Sequence, residues 1–457
     1  MLESGIKLKK ILLFMGDIAL LYFSLWLTLL IRYWNANNFF SHLLPFSIVF
    51  IIFLIIFYID DLYEVDFGKN RAEIISKLIR SIAIGTIISS TFFYFGYNRL
   101  FSIRPQRVLL IEVFIILVLL FLWRYFFYYF ITSPKLSKNT LCIGSGSVAE
   151  EIIKKLLSRP QLGFRILAIL DPEKKYTEIP DVYLFSDERK IREICERKKI
   201  DTIILSDKLK QDKNILKSIL ECLSLNISVY ELSDFYEKLT GKVPVDFIGH
   251  VWFLENLRGG ARKPYETLKR ISDVSISLFL LLLSLPFIPI IISAIKIDSK
   301  GPIFFKQIRT GKNGREFLAM KFRTMYANSE KSGPQWAKKD DPRVTRIGKF
   351  FRKLRIDEIP QLLNILRGEM SLIGPRPERP EFIHELQEKI PFYMERLLVK
   401  PGLTGWAQVM GPSYGGSFEE TLDKVQYDLY YIKNRSVGLD ISILLKTIKT
   451  VASAKGQ

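Results

Sequence analysis

Hydrophobic positions are unevenly spread along the 457 residues. Four apolar stretches, 11–31, 43–59, 81–97 and 108–131, each approach the roughly 20 residues a helix needs to cross hydrocarbon. They predict a four-helix transmembrane bundle over residues 1–134. The first stretch is too long for the roughly 7–15-residue apolar core of a signal peptide, and further spans follow it where a cleavage site would stand. Lys7, Lys9 and Lys10 precede the first span, Lys69, Arg71, Lys77 and Arg80 separate the second and third, and Lys135 and Lys138 follow the fourth, which places these segments in the cytoplasm. Arg99, Arg104 and Arg107, between the third and fourth spans, oppose that orientation. Asp17, Glu112 and Arg124 lie inside the apolar stretches, where an ionisable group is costly. They read either as functional groups or as groups facing the bundle interior or its boundary.

Between residues 139 and 232 the period changes. Short β-branched runs at 140–143, 164–170, 202–205 and 227–230 alternate with amphipathic segments at 148–157 and 190–197 and a further helix. This predicts a parallel, Rossmann-like α/β middle domain over residues 135–245. The turn GSGSVA after the first strand has the form GxGxxA, and Asp171 closes the second strand. Gly144, Gly146 and Asp171 therefore stand where a dinucleotide fold binds pyrophosphate and ribose. The same glycines also suit a tight turn and close helix packing, and both readings stay open. Beyond Asp171 the chain reads as charged and loopy.

A fifth apolar stretch, 271–297, is introduced by Lys269 and Arg270, carries Asp273 near its start and contains Pro286 and Pro289. Prolines interrupt the helical ladder, so this stretch is read as a re-entrant membrane helix within a linker region spanning 246–300. Charge supports that choice. The chain carries 66 Lys+Arg against 47 Asp+Glu, a net +19, at 49% hydrophobic residues. Residues 300–370 alone hold 17 Lys+Arg against 7 Asp+Glu. A full fifth crossing would place this basic segment outside, against the positive-inside bias. The composition excludes wholesale disorder, and three cysteines without CxxC spacing exclude a disulfide framework.

Residues 301–457 read as a mainly helical α+β domain. There is no GxxxxGK[ST] and no HExxH, and the chain has only His42, His250 and His384. Phosphate-loop and histidine-metal chemistry are thereby disfavoured. The candidates that remain are Asp340-Asp341, Asp357-Glu358 and the turn GPRPERPEF at 374–382. Asp357-Glu358 precedes Pro360 and an apolar helical pattern, so capping of a helix start is one reading. The flanking Arg352, Lys353, Arg355, Arg376 and Arg379 favour another, a phosphate site. There an ionised Asp attacks phosphorus without a general base and a neighbouring Glu helps to hold Mg2+. Asp340-Asp341 is a rival metal site or a solvated turn.

In order, KRISD at 269–273, the proline-broken apolar stretch, GPIFFKQIRTGKNGREFLAMKFRTM at 301–325, DPRVTRIGKFFRKLRIDEIPQLLNILRGEMSLIGPRPERPEF at 341–382 and KPGLTGWAQV at 400–409 resemble the bacterial polyprenyl-phosphate hexose-1-phosphate transferases, the large monotopic phosphoglycosyl transferases. The resemblance covers about the last 190 residues, and the bundle and middle domain resemble the same family's full-length members more weakly. It implies a cytoplasm-facing enzyme of the bacterial inner membrane that transfers a hexose 1-phosphate from a UDP-sugar to undecaprenyl phosphate, releases UMP, and initiates exopolysaccharide, capsule or O-antigen synthesis. It further implies a ping-pong route with Asp357 as nucleophile and Glu358 at Mg2+. Lys321, Arg323, Thr324, Arg376, Arg379, Trp406 and Gln408 would line the substrate site, with Lys269, Arg270, Asp273 and Pro286 in the membrane hairpin. Arg355-Ile356 stands where the family often has a Ser-Leu or similar pair, and Leu285-Pro286 where it often has Ser-Pro, so that Ser284 would have to substitute.

Membrane lipids are expected partners, nucleic acid is not, and a homodimer is compatible with the reading. Two other readings compete. An active GSGSVA turn would make the chain a membrane-tethered nucleotide-sugar oxidoreductase, and a middle domain that senses a nucleotide or mediates self-association would make it a non-enzymatic scaffold of polysaccharide assembly. Trp406 and Phe322 also suit plain core packing.

Overall fold

The computed structural model describes residues 2–34, 39–64, 71–96, 106–131, 137–159, 162–173, 175–176, 179–245, 263–327, 329, 341–411 and 417–452. Lys69, Arg99, Arg104, Lys135, His250, Asp340 and residues 246–262 of the linker region lie outside them. The chain divides into two units, residues 1–238 and 239–457.

In the first unit, α1 (Leu2–Tyr33), α2 (Phe39–Ile59), α3 (Arg71–Gly96) and α4 (Gln106–Ile131) form the expected bundle. Each is long and apolar enough to cross a membrane. Helix α1 packs on α2 and α4, and α3 packs on the same two. Leu21, Leu25, Phe46, Phe50, Phe53 and Phe57 fill the centre. The ionisable groups of the apolar stretches face inward. Arg124 Nη2 lies 2.6 Å from Asp17 Oδ2, and Glu112 accepts from Ser24 Oγ at 3.2 Å. At one end, Arg80 and Ser81 both bond Asp60, at 2.5 and 2.6 Å, and Lys10 bonds Glu64 at 2.8 Å.

The middle of the chain forms a five-stranded parallel sheet in the order β3-β2-β1-β4-β5. The strands are β1 (Lys138–Ile143), β2 (Phe164–Leu170), β3 (Tyr183–Phe185), β4 (Thr202–Leu205) and β5 (Ser228–Glu231). Helices α5 (Ser147–Ser158), α6 (Ile191–Arg197) and α7 (Lys213–Glu221) connect them, and α8 (Leu232–Thr240) follows. The segment after Asp171 departs from its loop reading. Three of its residues form edge strand β3 against β2, a run too short to show a period. Ile203, Leu205, Leu141, Ile143 and Ala168 are buried beneath α6 and α7.

In the second unit, residues 239–245, read above with the middle domain, pack with the C-terminal domain instead. Val243 and Val245 are buried with Ile383, Leu386, Val425 and Leu429, and Val243 N donates to Gln426 O at 3.1 Å. The fifth apolar stretch is broken as its prolines require. Helix α9 (Lys263–Ser284) gives way to a 3-10 turn, Leu285–Phe287, and then α10 (Ile288–Asp298). Ser284 ends α9 with its hydroxyl bonded to Leu281 O at 2.8 Å.

Both ends of this helix pair are fastened to one compact domain. Near the start of α9, Arg270 donates to Ile365 O and Leu366 O at 2.6 and 2.7 Å. One turn later, Asp273 accepts from Leu372 N at 2.9 Å and Ser371 Oγ at 3.1 Å. After α10, Arg323 clamps Ser299 O at 2.6 Å and Lys300 O at 3.1 Å, while Asp298 accepts from Ile347 N at 3.0 Å. Residues on both sides of the turn bond the same domain, and Leu282, Leu283, Leu285 and Phe287 at the turn are exposed.

That fold contains the antiparallel hairpin β6 (Phe304–Thr310) and β7 (Glu316–Phe322), helices α11 (Arg346–Lys353) and α12 (Gln361–Arg367), and the parallel pair β8 (Ser371–Ile373) and β9 (Gly402–Thr404). Helices α13 (Pro380–Lys389), α14 (Trp406–Met410), α15 (Phe418–Asn434) and α16 (Val437–Ala452) complete it.

Candidate active site

The residues around Asp357-Glu358 are held by three local devices. The pair does not cap α12, as its position before Pro360 suggested. It occupies a separate 3-10 turn, Ile356–Glu358, and Pro360 is the N-cap residue of α12. Arg355 enters the turn with φ 57° and ψ 19°, a left-handed conformation that costs a non-glycine residue about 1–3 kcal/mol. The turn persists because Ile356 and Ile359 pack against a cluster of Ile291, Ile295, Phe322 and Phe351.

The second device is Asn364, fully buried in α12. Its Nδ2 donates to Leu318 O at 2.8 Å and its Oδ1 accepts from Met320 N at 3.2 Å. This side chain takes the place of a strand partner for β7, and so fixes Lys321 relative to the helix that follows the acidic turn. The third is the GPRP turn after β8. An added Cβ on Gly402 would stand 2.1 Å from Gly374 N, and one on Gly405 2.2 Å from Gly374 O. Glycine is required there because two backbones touch, and that contact aims Arg376.

These devices converge on one carboxylate oxygen. Glu358 Oε1 accepts from Arg376 Nη2 at 2.7 Å, Lys321 Nζ at 3.0 Å and Arg355 Nη1 at 3.4 Å. Glu358 and Asp357 are each 5% exposed. Burial alone would raise the Glu358 carboxyl, but Lys321, Arg376 and Arg355 together outweigh it and hold the group well below the usual range. Asp357 moves the other way: burial raises it, Lys321 opposes, and the Glu358 charge adds to the rise. Its Oδ1 is buried without a hydrogen-bond partner. The pair therefore holds one carboxylate saturated with cations and one poised beside them with an unused oxygen.

The other sequence candidates are distributed differently. Arg323 clamps the end of α10, as described above. Thr324 Oγ1 accepts from Arg352 Nε at 2.9 Å, which ties the KFRTM strand end to α11. Arg379 turns to Glu381, at 3.5 Å, and to the ring of Phe382. Trp406 stacks on Tyr430 with centroids 5.7 Å apart and donates to Gly241 O at 2.9 Å. Gln408 donates to Leu403 O at 3.2 Å, and its Oε1 is buried without a partner. Asp341 is closed on its own turn, with Arg343 bonded to both carboxylate oxygens at 2.9 and 2.6 Å. Lys269 bonds Asp440 at 3.0 Å.

Sequence reading missed a buried pair behind Arg376. Arg396 donates to Asp428 Oδ2 at 2.8 Å, to Tyr393 Oη at 2.7 Å and to the Arg376 carbonyl at 3.1 Å. Burial pushes the Asp428 carboxyl up to about 6 against the opposing pull of Arg396. No local pattern marks residues 32 positions apart, and an Arg in a 3-10 segment reads as surface.

Among the described residues, no three His, Cys, Asp or Glu side chains converge on a metal position. A carboxylate pair with an unpartnered buried oxygen does fit Mg2+, which binds through one or two carboxylates and completes its shell with substrate phosphates and water. Glu358 is the residue that would hold it, with the unpartnered Asp357 oxygen beside it.

Residues 264–454 match the bacterial sugar transferase family, and residues 58–232 match a CoA-binding domain family. The UDP-N-acetylgalactosamine-undecaprenyl-phosphate N-acetylgalactosaminephosphotransferase of Aeromonas hydrophila is 43% identical over 237 residues, which cover 51% of this chain and 55% of that protein. The undecaprenyl-phosphate glucose phosphotransferase of Komagataeibacter xylinus is 34% identical, covering 69% of this chain and 59% of that protein. The UDP-galactose-lipid carrier transferase of Erwinia amylovora is 31% identical, covering 70% and 69%. The chain thus spans little more than half the length of the first two relatives.

Proposed function

Because this chain belongs to the bacterial sugar transferase family, the polyprenyl-phosphate sugar-phosphate transferases, we propose that it moves a hexose 1-phosphate from a UDP-sugar to undecaprenyl phosphate, with Asp357 as the nucleophile. The observation that carries the reading is the contrast within the acidic turn, where Glu358 binds three cations and Asp357 keeps an unpartnered oxygen.

In the first step an Asp357 carboxylate oxygen attacks the sugar-bearing phosphorus of the UDP-sugar. The bond from that phosphorus to the bridging oxygen breaks, and UMP leaves with the electron pair. In the second, a phosphate oxygen of undecaprenyl phosphate attacks the same phosphorus and expels the Asp357 carboxylate, giving undecaprenyl diphosphosugar. Lys321, Arg355 and Arg376 supply positive charge where the phosphates gather, with Arg376 suited to a bidentate contact. Mg2+, when bound, would neutralise the repulsion between anionic nucleophile and anionic substrate. Burial that raises the Asp357 carboxyl also strips water from the nucleophile, and the Lys321 charge opposes that rise.

The broken helix pair supports a re-entrant insertion, since both ends bond one domain and the apolar apex is exposed. Such a hairpin holds the acidic turn at the membrane face where a lipid phosphate lies, with the catalytic domain in the cytoplasm of the inner membrane. The relatives' names differ in the sugar moved, so the product is the first lipid-linked sugar of an exopolysaccharide, capsule or O-antigen repeat whose hexose a panel of UDP-sugars would identify. The test uses purified full-length protein with labelled UDP-sugar and Mg2+ but no lipid. UMP release with label retained on the protein is expected. Retention of both in Asp357→Asn overturns the nucleophile assignment.

A further inference from the structure

The transferase reading leaves the GSGSVA turn without a task. The sheet order reverses direction between β1 and β4, and in open parallel sheets ligands lie outside the carboxyl ends of the strands at such a reversal. Three structures meet at that edge. Gly144 follows β1, and its N–H bonds Leu170 O at 2.9 Å, so Asp171, which follows β2, stands beside it. Gly146 is the N-cap residue of α5, a 12-residue helix, at φ 127° and with no side-chain cap on the helix N–H groups. Ser145 Oγ donates to the exposed Glu173 carboxylate at 3.2 Å, joining the glycine turn to the loop after β2.

Packing explains part of this without a ligand. A Cβ on Gly144 would stand 2.4 Å from Ser206 Cβ, so that glycine is needed for strand-end packing alone. Packing does not explain Asp171. The side chain is 4% exposed; Oδ2 accepts from Tyr176 N at 2.8 Å, while Oδ1 is buried with no partner. The Tyr176 hydroxyl is also buried and unpartnered. A buried carboxylate oxygen left without a donor is destabilising, and a ligand hydroxyl would satisfy it.

We propose that this crevice binds a nucleoside diphosphate whose ribose 2′- and 3′-hydroxyls are both free, with its pyrophosphate at the amino end of α5 and its diol on Asp171. The uncapped first turn of α5 offers N–H groups and the positive end of the helix dipole to the phosphates, which take over the place at Ser145 held by the Glu173 carboxylate. Asp171 accepts from the diol. The same carboxylate repels a phosphate on the ribose, so coenzyme A, with its 3′-phosphate, and NADP, with its 2′-phosphate, are discriminated against. This separates the ligand class from the one in the name of the family matching residues 58–232. It does not depend on the transferase reading.

The experiment is equilibrium binding to the full-length chain in lipid nanodiscs. NAD and ADP-ribose are expected to bind at one site per chain, and NADP and coenzyme A at least about tenfold more weakly. Asp171→Ala should weaken NAD about tenfold or more and narrow its advantage over NADP. Asp171→Asn keeps an acceptor oxygen, so it should retain most NAD affinity while losing the discrimination, and it carries the test if the alanine variant does not fold. UDP-hexose added against bound ADP-ribose reads the base: displacement means the site takes uridine as well, and its absence means adenosine alone, either supporting the site. No binding of NAD, ADP-ribose or UDP-hexose at this site at millimolar concentration overturns the proposal. So does coenzyme A binding as tightly as NAD, or an unchanged NAD-to-NADP ratio in both variants.

Discussion

Two buried acid–cation systems lie within the C-terminal domain and differ in one respect. Arg396 and Asp428 form a one-to-one charge pair, with further guanidinium bonds going to Tyr393 and the Arg376 carbonyl and only the Arg396 Nε left without a partner. Asp357 and Glu358 are mismatched, with three cations on a single Glu358 oxygen and an Asp357 oxygen without a partner. A matched buried pair fixes structure, because either charge left alone is costly. A mismatched one leaves a charge to be completed by something outside the protein. Arg376 links the two systems, with its backbone held by the first and its side chain serving the second.

The sharpest break of this comparison is Asp357→Asn. Sugar-phosphate transfer should fall by on the order of 10³-fold or more, measured as UMP release, with thermal unfolding unchanged or slightly raised because a charge is removed from a buried site. A large stability loss would instead make Asp357 structural. Breaking the matched pair reverses the pattern. Asp428→Leu leaves Arg396 buried and uncompensated and should destabilise the domain by about 3–5 kcal/mol in denaturant titration. Arg396→Met combined with Asp428→Leu should recover most of that loss, and no recovery would deny that the two charges act as a pair.

Acid separates the systems more gently. The Glu358 carboxyl is depressed in the fold from an ordinary value of 4.5, so its stabilisation is complete above that pH and disappears as pH falls through the lower folded value. The Glu358→Gln variant should therefore lose the wild-type drop in melting temperature below about pH 4.5. Retention of the same drop would mean other carboxylates carry it. The smallest effect is expected at Trp406→Phe, which removes the bond to Gly241 O and should cost about 1 kcal/mol. The Michaelis constant for UDP-sugar should stay unchanged, and a rise would place the indole at the substrate.

Much of this was legible in the chain. The four spans declare themselves because hydrocarbon demands about 20 apolar residues in a row, and the strands at 164–170 and 202–205 because buried parallel strands read as near-continuous apolar runs. The pair Asp357-Glu358 was legible as chemistry among arginines but not as geometry. The left-handed Arg355 that turns the pair away from α12 leaves no trace in a sequence where only glycine advertises positive φ. Nothing in the sequence sets Asn364 apart from any polar helix residue, although it completes the β7 edge. Trp406 and Gly241 are 165 positions apart, and no periodicity reports so distant a bond. β3 was missed because three residues cannot show an alternation.

The central claim is that the unpartnered Asp357 oxygen attacks phosphorus. Mass spectrometry of peptides from enzyme quenched after mixing with UDP-sugar and Mg2+ in the absence of lipid tests it most directly. A hexose-phosphate adduct on the peptide bearing Asp357, discharged when undecaprenyl phosphate is added, is the expected result. UMP production only when lipid is present, with no adduct at any time, would mean direct transfer between substrates and contradict the claim.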